Sequence, residues 1–250
     1  MSKMSIETEA ELEGLRRAGR VVAEVLRELR RRVQPGVTTA ELDRVAAGVF
    51  QAHGARSAPA LVYGFPGTVL ISINDEVVHG IPGNRRIARG DVVKLDVTVE
   101  RAGYMADAAR TVVVEGGTAE AVRLTGCAER AFAAALEVTT AGRKVREIGR
   151  AVERTVRGEG FSVIRGLTGH GIGRTIHEPP SVPNHFDPWQ EDVLTDGLVL
   201  TIEPIICAGR AAVTQDDDGW TIRTRDGSLA AHHEHTLIVT RGRPVLLTAA

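Results

Sequence analysis

Apolar residues recurring at three- and four-residue steps define the first element of this chain. Leu12, Leu15, Val22, Val25, Leu26, Leu29 and Val33 put one oily stripe on a helix over Glu7–Val33. Arg27, Arg30, Arg31 and Arg32 close it as a solvated last turn, where the helix dipole favours positive charge. Gln34-Pro35-Gly36 breaks the chain, and Thr38 with Glu41 forms a capping box that starts a second helix ending near Gly54. The period then changes. Thr68–Ile73 predicts a short strand and Asp91–Glu100 a longer one, which turns at Ala102-Gly103 into a partner strand over Tyr104–Glu115. Helices follow at about Thr118–Val138 and Lys144–Gly158. The last third returns to strands at Phe161–Ile164, Leu198–Cys207, Trp220–Arg225 and His235–Thr240. Asp216-Asp217-Asp218-Gly219 predicts a hairpin turn rather than a calcium loop.

The two halves echo each other. Pro35-Gly36-Val37-Thr38-Thr39-Ala40-Glu41-Leu42 reappears as Ala141-Gly142-Arg143-Lys144-Val145-Arg146-Glu147-Ile148. At nearly the same offset, Gly90-Asp91-Val92-Val93-Lys94-Leu95-Asp96 reappears as Gly197-Leu198-Val199-Leu200-Thr201-Ile202-Glu203. Each half reads helix, helix, strand, with an acid at the same strand position. This predicts one α+β domain over residues 1–250, built from pseudo-twofold halves at about 1–116 and 117–250. Asp96 and Glu203 then face each other across a central cleft.

Those two acids belong to an ordered series: Asp96, Asp107, His170, His177, Glu203, Glu234. Five of them (all but His177) are the right kind and number of groups to hold two divalent cations. Carboxylates bridge ions, and one imidazole suits Mn, Fe, Co or Zn better than Mg or Ca. A cation pair activates water and clamps the oxygens of a tetrahedral intermediate, so the pattern points to hydrolysis. Asp96 lies inside the apolar run Val92–Val97 and is costly to bury alone. Lys94 and Thr98 share its strand parity, which leaves open a simple water-facing surface. Asp107 follows at hairpin distance, and two such charges held close need a cation or a shared proton.

The glycines around His170 in Gly169-His170-Gly171-Ile172-Gly173 permit close backbone approach. They do not form a dinucleotide fingerprint, because Pro179-Pro180 arrives where a long helix is required. His79 sits between a strand and a turn, within reach of a substrate. His232, His233 and His235 crowd Glu234; by parity His233 and His235 point away from it, into a supporting layer or solvent. His53 and His185 read as surface or capping residues.

Bulk properties narrow the field. The 250 residues carry a formal net charge of -1, which gives no general attraction to DNA or acidic membranes. Cys127 and Cys207 are far apart, arguing against structural zinc or a disulfide framework. Met1–Glu13 is polar with no apolar signal core, and no run approaches the ~20 apolar residues of a membrane span. These features predict a soluble cytoplasmic protein.

Taken together, the segments resemble the type I methionine aminopeptidases of the pita-bread fold. The resemblance rests on Ser72–Pro82, Leu95-Asp96-Val97-Thr98-Val99, Asp107, Gly169–Gly173, His177-Glu178, Thr201-Ile202-Glu203-Pro204-Ile205, Asp218-Gly219-Trp220-Thr221 and Glu234-His235-Thr236. It implies two divalent ions (Co, Mn, Fe or Zn), with Asp96 on one, Asp107 and Glu234 bridging, and His170 and Glu203 on the other. Glu203 would also carry a proton to the leaving amine, His177 would contact the carbonyl oxygen, and His79 the scissile nitrogen. Phe65, Leu70, Ile176 and Trp220 would form the methionine pocket. Backbone oxygens near Asn74 resemble a monovalent-cation site of some relatives. The implied substrates are nascent N-termini with a small second residue, met by a monomer with transient ribosome contact. Pro59, Val62, Leu70, Leu167 and Ala108-Ala109 depart from the usual pattern, which bears on pocket shape and rate. Competing readings are a proline-specific dipeptidase and a non-catalytic peptide- or ribosome-binding relative.

Overall fold

The computed structural model describes residues 5–249; residues 1–4 of the polar N-terminal stretch and Ala250 lie outside them. Helix α1 (Glu9–Arg32) opens on a capping box in which the Thr8 hydroxyl accepts from the Glu11 amide. Helix α2 (Thr39–Ala52) opens on the expected Thr38–Glu41 box. After a two-residue strand β1 (Arg56–Ser57), a short helix α3 (Ala58–Tyr63) ends on Gly64, whose φ of 73° is left-handed. Strands β2 (Leu70–Ile73) and β3 (Glu76–Val78) precede the long hairpin of β4 (Val92–Arg101) and β5 (Tyr104–Val113). Its turn residues Ala102 and Gly103 both have positive φ, 51° and 83°, as a tight two-residue hairpin requires.

Alternation along β4 sets the layout. Val93, Leu95, Val97 and Val99 pack with Val22, Val25, Leu29, Leu42 and Phe50 of the two helices. Asp96 and Thr98, of opposite parity, line the interior cavity. The second half also opens on two helices, α4 (Ala119–Val138) and α5 (Arg146–Gly158), but strands β6 (Ser162–Val163), β7 (Thr168–Gly171), β8 (Glu178–Pro183) and β9 (Val199–Ile202) follow with no counterpart to α3. Leu198, Leu200 and Ile202 pack with Leu124, Phe132, Ile148 and Val152. Glu203 then lines the same cavity.

The expected single strand Leu198–Cys207 is broken. It divides into β9 and β10 (Ile205–Cys207) because Pro204 has no N–H to continue the ladder. The expected acidic turn joins β11 (Val213–Gln215) to β12 (Ile222–Thr224), with Gly219 at φ 77°. Strands β13 (Ala230–His232), β14 (His235–Ile238) and β15 (Val245–Leu246) complete the chain. The sheets run β1-β4-β2 with β5 on β4, β13-β10-β6, β11-β12-β3 and β15-β14-β9-β7-β8. Among the described residues, no helix is long and apolar enough to cross a membrane.

Candidate metal centre

The inner faces of the two halves meet at a cavity of about 660 Å³, lined among others by Asp96, Asp107, His170, Glu203 and Glu234. The hairpin register opposes Asp107 to Thr98 and Asp96 to Ala109, so the two aspartates are diagonal neighbours on one face. A water-facing surface for this strand is ruled out. Lys94 is only 1% exposed and Thr98 is also buried. The Lys94 ammonium donates to the Asn74 carbonyl at 2.7 Å, in the region where the resemblance implies backbone oxygens for a monovalent cation. Burial pushes its pKa down to about 7.

Cross-links between strands fix the acids. The Asp107 amide donates to the Thr236 hydroxyl, which returns a bond to the Asp107 carbonyl, both at 2.8 Å. Glu234 lies between β13 and β14; its amide donates to the Ala109 carbonyl and its own carbonyl accepts from Arg110. The Thr201 hydroxyl donates to Glu203 Oε1 at 3.1 Å and accepts from the His170 amide. Asn184 donates to the Glu203 carbonyl at 2.9 Å.

His170 has one usable nitrogen toward the cavity. Nδ1 lies 3.0 Å from the Gly171 carbonyl, an acceptor only, so Nδ1 holds the proton and Nε2 the lone pair. Nε2 is 3.6 Å from Glu203 Oε1. Burial pushes the imidazole pKa down to about 3, keeping it neutral. The flanking glycines are sterically required, since a Cβ at Gly169 would lie 2.6 Å from the Thr201 carbonyl oxygen and one at Gly171 2.3 Å from that of Pro179.

The electrostatics suit cations. Burial raises Asp96, Glu203 and Glu234 well above the ordinary carboxylate range, and neighbouring acids raise them further. Asp107 is pushed up to about 6, chiefly by burial. Asp96 Oδ1, Asp107 Oδ1 and Glu234 Oε1 are buried with no hydrogen-bond partner among the described residues. Orphaned acceptors around one cavity fit divalent ions, whose charge reverses the preference for protons. Ligand atoms of Asp107, His170 and Glu234 lie within 4.8 Å of one another, as do those of Glu203, His232 and Glu234.

His79 and His177 line the same cavity. His79 holds a φ of 61°, and the next residue must be glycine because a Cβ at Gly80 would lie 2.3 Å from the Ile71 carbonyl oxygen. Burial lowers the pKa of His79, with the His177 charge adding to the effect. The His177 ring packs edge-on to His170 at 4.3 Å between centroids, and its Nδ1 meets the Tyr63 hydroxyl at 2.5 Å. Leu70, Ile176 and Trp220 line the cavity, but Phe65 does not. Phe65 is 3% exposed and meets Trp220 edge-on at 5.2 Å, so it backs the wall instead of forming it.

Tyr63 was missed from the sequence, and His232 was noted beside Glu234 without a part in the site. Tyr63 gave no signal, because α3 is one short turn of helix whose contact with His177 spans the two halves. His232 had one, its position two residues before Glu234. His235 is buried rather than exposed, with Nδ1 2.7 Å from the Thr248 hydroxyl, and half-buried His233 packs on Phe132. His53 caps α2 and reaches Glu24 at 2.9 Å.

Residues 13–241 match Metallopeptidase family M24. The chain is 41% identical over 247 residues to methionine aminopeptidase 2 of Bacillus subtilis (strain 168), covering 98% of this chain and 99% of the relative. The crystal structure of methionine aminopeptidase from Thermotoga maritima matches at TM-score 0.95 and 34% identity, over 99% of this chain and 100% of the other. Prolidase from Pyrococcus horikoshii OT3 matches at TM-score 0.77 and 21% identity, over 98% of this chain and 63% of the other, and so shares the fold alone. The architecture is the pita-bread fold expected from the sequence.

Proposed function

The chain belongs to metallopeptidase family M24, and from that premise we propose that it is a methionine aminopeptidase. It removes the initiator residue from nascent chains with a small second residue, in the cytoplasm and as a monomer. The observation that carries this reading is the lining of one cavity by two aspartates, two glutamates and a neutral imidazole with orphaned acceptor oxygens. Asp96, Asp107, His170, Glu203 and Glu234 would hold two divalent ions. Bound there, such ions polarise a carbonyl and supply a nucleophilic water near neutral pH.

The protein's own groups do the rest. Glu203, with Oε1 held by Thr201, accepts the water proton and passes it to the leaving amine. His177, paired through Nδ1 with Tyr63, offers Nε2–H to the carbonyl oxygen as negative charge develops. His79 contacts the scissile nitrogen. Leu70, Ile176 and Trp220 receive the methionine side chain, with Phe65 steadying the indole.

The test is peptide cleavage by dialysed protein supplied with Mn, Co, Fe or Zn. Met-Ala-Ser should be cleaved and Met-Lys-Ser spared. Cleavage of Xaa-Pro peptides alone would replace this reading with a dipeptidase, and no cleavage with any metal would replace it with a peptide-binding role.

A further inference from the structure

His232 has no assigned part in the site, yet it stands against both of its glutamates. Its Nε2 is 3.3 Å from Glu234 Oε2 and 3.7 Å from Glu203 Oε2. The residue is 1% exposed, and neither ring nitrogen has a hydrogen-bond partner among the described residues. With Nδ1 unpaired and Nε2 facing only two carboxylates, the ring makes no well-formed hydrogen bond to offset its burial.

The backbone prevents the ring from escaping to water. The His232 amide donates to the Thr111 hydroxyl at 2.9 Å, and that hydroxyl donates back to the His232 carbonyl at 2.8 Å. On the other side β13 pairs with β10, with His232 opposite Ile205. The side chain is thereby committed to the cavity wall. Two sets of three donor atoms result: Asp107, His170 and Glu234, and then Glu203, His232 and Glu234. The two sets share Glu234, and His170 Nε2 also lies 3.6 Å from Glu203 Oε1, so both imidazoles border the same carboxylates.

We propose that His232 is a sixth ligand of the metal centre, giving its Nε2 to the cation held at Glu203 and Glu234. This rests on the metallopeptidase reading above. A second imidazole shifts the donor set toward nitrogen, and so toward Co, Fe or Zn over Mn or Mg. It also gives Nε2 a directed partner beyond the two carboxylates it faces.

The test needs no turnover. The apoprotein is titrated with Co(II), and solvent-exchangeable, paramagnetically shifted ring N–H resonances are counted by proton NMR. Two coordinated imidazoles give two such resonances in the native protein, from His170 and His232; a single one overturns the proposal without any variant. Calorimetry of His232→Gln, accepted only if its apo unfolding temperature stays near wild type, supplies the second readout. Co(II) affinity should fall at least about 10-fold, the scale seen when even supporting metal-site groups are lost, and Mn(II) affinity less. Unchanged Co(II) affinity sinks the sixth ligand alone. Failure of the native protein to bind Co(II) sinks the metal centre itself.

Discussion

The hydroxyl of Tyr63 lies 2.5 Å from Nδ1 of His177, joining a short helix of the first half to a cavity residue of the second. Burial raises the phenol pKa, so the group keeps its proton near neutrality. Donation from Tyr63 to Nδ1 leaves the proton of a neutral imidazole on Nε2, the form that can serve a carbonyl oxygen. Tyr63→Phe should therefore lower kcat about 10-fold, within the range of one lost polar contact in a transition state, with KM little changed. An equal loss in KM with kcat intact would show that Tyr63 merely binds peptide.

Glu203 carries two tasks, holding a cation and moving a proton. Glu203→Ala should abolish measurable turnover and reduce bound metal. Metal analysis after dialysis, joined to the peptide assay, checks both; full metal content with residual turnover would remove the first task.

His79 lines the cavity but belongs to neither of the two donor sets found among the described residues. His79→Ala should cut kcat by about 10²-fold or more, as expected for a positioned polar group, while leaving metal content near wild type. A metal-free His79 variant contradicts its assignment to the scissile nitrogen.

Lys94 gives a pH signature. Its folded pKa of about 7 lies below the ordinary lysine value near ~10.4. Between those values the unfolded chain binds more protons, so this residue's contribution makes stability rise with pH; below about pH 7 its full penalty remains. Lys94→Met should remove that slope and stabilise the protein at pH 7, with the Asn74 carbonyl still paired to the Ala230 amide at 3.0 Å. Denaturant unfolding of both proteins at pH 7 and pH 10 measures it. An identical pH dependence would place no titration on Lys94.

Gly171 tests the packing behind His170. A Cβ there meets the Pro179 backbone rather than a side chain that can swing aside. Gly171→Ala should destabilise by roughly 1–3 kcal/mol, as overpacking does, and lower metal affinity by displacing His170. Thermal unfolding and calorimetry read the two effects.

Local rules were enough for much of this molecule. The Thr38–Glu41 cap, the Ala102-Gly103 turn and the helical stripe of α1 depend on neighbours within a few residues, and all are legible in the chain. So was the series of candidate ligands, because carboxylates inside apolar strands stand out wherever they occur. Pairing across the molecule was not legible. Parity alone could not say whether Lys94, Asp96 and Thr98 faced water or a second half, and Pro204 divided a strand that composition made continuous. Which oxygens lack partners, which His170 nitrogen faces the acids, and how Tyr63 and His232 reach the cavity depend on residues more than a hundred positions apart in several cases. Only the packing of several sheets and α3 around one cavity brings those groups within bonding distance, and no local pattern encodes that packing.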